Sequence, residues 1–143
     1  MNPFAPIYEF FENFIGIFDI NFTMVFQTLY DKGGYNNMGI LLLFIPLIFL
    51  LLFYLVWKYP YATLWHWVLN ICIIALIVGV STYSTVRLTL AKFIVSPNPD
   101  VSDFTEFLVL KYAVLNAFLS LLISFLYSLI LRKKSKVQMH LPY

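Results

Sequence analysis

Charge is scarce in this chain, and its absence from three stretches decides the class of molecule. Nine residues are Lys or Arg and seven are Asp or Glu, 11% of 143, where a soluble domain usually carries about 25%. Met38–Trp57, Thr63–Tyr83 and Tyr112–Leu131 hold none at all. Cysteine is nearly absent too. Cys72 is the only one and lies inside the second stretch, so no intramolecular disulfide can form and the residue reads as a small buried hydrophobe. His66 and His140 are the only histidines, and neither has a His, Asp or Cys close by in sequence, which speaks against metal ligation. No catalytic, metal-binding or nucleotide-binding motif is present, and no cofactor is expected. The net charge of +2 is too small to imply nucleic acid. Met1–Ala5 lacks basic residues, and Glu9 and Glu12 interrupt the apolar stretch after it, so a cleavable secretory signal is not expected.

The abundant residues are apolar and aromatic. Hydrophobic residues make up 62%, with 15 Phe, 10 Tyr and 3 Trp. Each charge-free stretch reaches the ~20 residues needed to cross a ~30 Å hydrocarbon core. The expectation is an all-α integral membrane protein with three transmembrane helices in contact with the lipid bilayer. Tyr54, Trp57, Tyr59, Tyr61, Trp65 and Trp67 crowd the join between the first two spans, where an interfacial aromatic belt would fall.

Charge placement suggests orientation. Arg132, Lys133, Lys134 and Lys136 come directly after the third span, and basic residues beside a span are retained in the cytoplasm. The C-terminus is then inside, the N-terminus outside, and Lys58 inside. Lys32, Arg87, Lys92 and Lys111 lie outside or at the outer edge, as do all the acidic residues. Such a chain is expected in a bacterial cytoplasmic membrane.

The pattern divides the chain into three segments: an extracytoplasmic or interfacial segment over 1–36, a three-helix membrane domain over 37–134, and a basic tail over 135–143. Within the first, residues 5–19 read as an amphipathic helix with Glu9, Glu12, Asn13, Gly16 and Asp19 on one stripe. A short helix is expected next over Phe22–Tyr30, with Asn21 as N-cap and Gly33 or Gly34 as its end. Both are expected along the outer interface. The rival reading is a fourth span over Phe14–Tyr30. It would bury Asp19 at about 2.5–3.5 kcal/mol.

In span one, Pro46 predicts a kink. Span two has no helix breaker other than Gly79 until Pro97 and Pro99, which makes it longer than the hydrocarbon core is thick. Asp103 with Glu106 three residues on resembles a capping box opening the third helix, which should run to about Lys134. Spans two and three would form a long antiparallel hairpin whose tip, over 84–106, projects outside. Lys92 should then approach Asp103 and Glu106, and Lys111 can snorkel to the outer interface.

Asn116, Ser120, Ser124 and Ser128 recur every fourth residue in span three and share a face. Such a stripe builds either a close helix–helix seam or the lining of a pore. An antiparallel register puts Asn70 opposite Ser124 or Ser128, so Asn70 is expected to bond the stripe directly or through water, with close packing near Ala75 and Gly79.

The spans hold almost none of the converging acids, bases and nucleophiles that catalysis needs. They lack the intramembrane ionisable groups typical of coupled transporters, and no inverted repeat is visible. Two functions remain. One is a non-enzymatic structural or anchor subunit bound to other membrane-protein subunits. The other is a channel or pore built from copies of itself. In its three-span, N-out, C-in outline with a basic tail, the chain is similar to phage class I holins. That similarity is one of topology alone, carried by no sequence motif, and the long hairpin departs from it.

Overall fold

The computed structural model describes residues 2–15, 23–56, 64–93 and 99–132. Among these residues there is no strand. The elements are α1 (Ala5–Ile15), α2 (Thr23–Asp31), α3 (Gly34–Val56), α4 (Leu64–Phe93) and α5 (Pro99–Arg132). Three segments are long and apolar enough to cross a membrane: Gly34–Leu55, Leu64–Ala91 and Glu106–Leu131. α4 and α5 form an antiparallel hairpin with the most extensive contact in the molecule, and α3 packs against both.

Local chemistry sets the boundaries. Gly33 adopts φ 69°, a conformation that glycine takes without steric penalty, and stops α2. Lys32 N–H bonds Thr28 O at 3.0 Å, and Gly33 N–H bonds Tyr30 O at 3.2 Å, pairing carbonyls that a helix end leaves over. α3 starts at the next residue. The corner is tight: a Cβ on Gly34 would lie 2.8 Å from Leu29 Cδ2. α3 continues through the buried Pro46 to Val56. With no N–H on Pro46, the Leu42 carbonyl loses its usual helical donor.

The opening of α5 differs from expectation. It begins at Pro99, so Asp103 is not its N-cap but lies in its second turn. Proline is pre-organised for a first helical position, and negative charge suits the early turns through the helix dipole. At their other limits, α4 ends at Phe93 and α5 at Arg132. The fourth-span alternative over Phe14–Tyr30 falls partly outside the described residues, which cover only the end of α1 and most of α2 there. Asp19 and Asn21, the side chains of Asn13, Lys92, Asp103 and Arg132, and Lys133, Lys134, Lys136 and the tail all lie outside the described residues.

The hydrophobic core has two parts. One gathers Ala5 and Tyr8 of α1, Leu29 of α2 and Tyr35 of α3 around Val86 and Leu90 of α4 and Leu108 and Tyr112 of α5. The helices expected to lie along the interface are therefore packed on the bundle. They cover the base of the 84–106 hairpin region. The other part joins Leu42, Leu50 and Phe53 of α3 to Ile74 and Val78 of α4. Outside both, large apolar side chains face away from the protein on all three long helices, among them Phe44, Leu52, Leu76, Val80, Phe118 and Leu122.

Candidate functional site

The stripe on α5 lies wholly inside the chain. Asn116, Ser120 and Ser124 are 0% exposed and Ser128 is 6% exposed. Buried polar groups need partners, and where each residue finds its own defines the site.

Asn116 is the hub. Its Oδ1 accepts from Tyr8 Oη at 2.8 Å. Its Nδ2 donates to Thr82 Oγ1 at 2.7 Å and to the Met38 carbonyl at 3.3 Å. One amide thus ties α5 to α1, α4 and α3, with both of its N–H groups and its oxygen in use. Tyr8 is 0% exposed. Its ring stacks on Tyr35 at 5.5 Å between centroids and meets Tyr112 edge-on at 6.4 Å. Burial pushes the Tyr8 phenol above its ordinary pKa, only partly countered by the bond to Asn116.

Beyond the tyrosines sits Glu12, half-buried. Its Oε1 accepts from Tyr35 Oη at 2.8 Å and from Tyr112 Oη, and the two phenol oxygens lie 3.1 Å apart. Burial raises the Glu12 pKa above the usual carboxylate value. The bonds from Tyr112 and Tyr35 pull it down, and the negative charge of Glu9 adds to the rise. α1 therefore turns part of its polar stripe inward: Tyr8 and Glu12, four residues apart, share the face that meets the bundle.

Further along the stripe the partners change. Ser120 Oγ donates to its own helix at the Ala117 carbonyl, 2.7 Å away, a local bond that needs nothing from neighbours. Ser128 Oγ accepts from Trp67 Nε1 at 2.9 Å and is also bonded to Tyr54 Oη. Between them, Ser124 Oγ is enclosed with no hydrogen-bond partner, and so is Asn70 Nδ2. The expected direct bond from Asn70 to the stripe is not formed. The predicted level holds, since Trp67 opposite Ser128 puts Asn70 opposite residue 125 of α5. But Trp67, with its longer reach, takes the serine. Close approach at Gly79 is present: a Cβ there would meet Ala117 Cβ at 3.3 Å.

Other candidates fall outside this network. Glu106 pairs with Arg87 at 3.2 Å, both side chains being 60% exposed, an arrangement worth about 0–1 kcal/mol. Lys111 lies 4.6 Å over the Phe107 ring. Cys72 is exposed rather than buried. It lines a shallow groove with Trp65, His66 and Leu69 on the outer face of α4, because the inward face of that turn belongs to Ile71 and Ile74. No group of three or more His, Cys, Asp or Glu side chains suited to a metal occurs among the described residues.

The sequence reading missed Tyr8, Glu12, Tyr35, Thr82 and Tyr112 as site residues. The available signal was Tyr8 and Glu12 at helical spacing on α1, together with two tyrosines near the ends of spans. No protein-family model, no curated protein and no solved structure matches the chain.

Proposed function

We propose that this chain is a non-enzymatic integral membrane protein that acts as a structural or anchoring subunit of a larger membrane complex. The observation that carries this reading is the inward direction of the polar stripe. Ser120 and Ser124 are fully buried within one copy, while Phe44, Leu76, Phe118 and Leu122 turn apolar surface outward. A conduit between copies would need polar side chains on that outward surface. A seam that closes one copy on itself leaves a rigid apolar body suited to lipid and to other membrane helices. In this reading the α1 end is extracytoplasmic and the C-terminus lies in the cytoplasm of a bacterial cell, in keeping with the basic residues after span three.

Gentle extraction through a C-terminal tag, with the mass and composition of the particle then measured, tests the proposal. Other proteins in fixed stoichiometry are expected. A particle made only of this chain, with a conductance that changes when Ser120 or Ser124 is made bulky, would replace the anchor by a pore.

A further inference from the structure

Glu12 Oε1, Tyr35 Oη and Tyr112 Oη form a triangle in which every pair is in contact, Tyr35 at 2.8 Å from Glu12 and 3.1 Å from Tyr112. The hydrogens can be counted. Each phenol brings one. If Glu12 is ionised, both phenols donate to it, and the Tyr35–Tyr112 edge is left as two oxygens facing each other with no hydrogen between them. A protonated carboxyl brings the third. Glu12 then donates to Tyr35, Tyr35 to Tyr112 and Tyr112 back to Glu12, and every edge becomes a hydrogen bond.

We propose that docking of α1 onto the bundle takes up one proton from solvent onto Glu12, making this triangle a proton-binding site and α1 a latch held by acid and loosened by alkali. The surroundings fit. Among the described residues of α1, the charge that acts on Glu12 is that of Glu9, of like sign, and the Tyr8 hydroxyl is committed to Asn116. Among the described residues of α3 and α5, the facing groups are the two phenols. Lys111, next to Tyr112 in sequence, lies over the Phe107 ring. On α4, Arg87 is engaged with Glu106. Asp31 and Lys32, at and just beyond the end of α2, are exposed. The direction of the Glu12 pKa agrees: it is raised on folding, chiefly by burial. A raised folded-state pKa gives stability that is fully present below the unfolded value, about 4.3. That stability is lost as pH rises through the folded value.

The test uses the full chain in lipid nanodiscs, with Cys72→Ser and spin labels at Phe10 and Ile40, which are both exposed. Distances are recorded from pH 5 to pH 9, below the range near 10 where tyrosines ordinarily titrate. At pH 5 one short distance is expected. A second, longer population should grow reversibly toward pH 9, about tenfold for each unit by which the Glu12 pKa is raised. Glu12→Gln should keep the short distance throughout. The infrared band of a protonated carboxyl should grow in the parent chain as pH falls from 9 to 5, and the part of it due to Glu12 should be missing in that variant. A parent distribution that does not change with pH would overturn the latch, as would an unaltered pH response in Glu12→Gln. If that variant fails to fold, the parent titration and its carboxyl band decide alone.

Discussion

The two halves of the α5 stripe use the same four-residue spacing and reach opposite outcomes. Around Asn116, four helices contribute, and the amide and hydroxyl groups of Tyr8, Thr82 and Asn116 bond across them. Around Ser124, the described residues come from the long helices, and Ser124 Oγ and Asn70 Nδ2 have no partner. The difference is α1. A short helix that could not stand alone in water brings an aromatic hydroxyl long enough to reach the seam, and among the described residues no such element covers the middle of the bundle. Spacing places polar residues on a face, and it takes a further element to satisfy them.

The comparison breaks first at the hub. Asn116→Leu strands the Tyr8 and Thr82 hydroxyls in the core, at about 1–3 kcal/mol for each group left unpaired. Thermal unfolding in detergent should show the largest loss of any single change on the stripe. An intact melting temperature would mean that the hub is not structural. Next comes Gly39→Leu. Even a bare Cβ on Gly39 would fall on the ring of Phe4, so a larger side chain must expel Phe4. Overpacking of this kind costs about 1–3 kcal/mol. Protease cleavage near the N-terminus should accelerate while the α4–α5 hairpin stays intact. Tyr54→Phe removes one of the two partners of Ser128 and leaves Trp67 in place, so the expected loss is about 1 kcal/mol, read from the same melts. Smallest is Ser124→Ala. It deletes a hydroxyl that bonds nothing, and stability should stay the same or rise slightly. A loss as large as that of Asn116→Leu would show that the two halves are alike after all, with Ser124 bonded in the membrane.

Periodicity made much of this legible. Long charge-free runs located α3, α4 and α5, Gly33 ended α2, and an antiparallel register put Asn70 at the right level and Gly79 against α5. The docking of α1 was not legible, for a physical reason. The bond from Tyr8 to Asn116 joins residues 108 apart, and no local pattern encodes a partner at that distance. A stripe with Glu12 on it reads as a face for water unless one knows that Tyr35 and Tyr112 will meet it. Asn70 shows the complementary failure. Register gave its height along the helix, but which side chain reaches Ser128 depends on length and direction, where the Trp67 indole wins. Asp103 misled because a capping pattern competed with Pro99, and proline opened the helix a turn earlier.

The same separation sets an order of events during synthesis. α1 leaves the ribosome before α5, and the residue that anchors Tyr8 is made 108 positions later. At about 5–20 residues per second, α1 waits roughly 5–20 s before Asn116 can meet Tyr8, whereas Tyr35, one partner of Glu12, follows it by only 23 positions. Over that interval the Tyr8 hydroxyl must find another partner, and the hub closes only when α5 has been made.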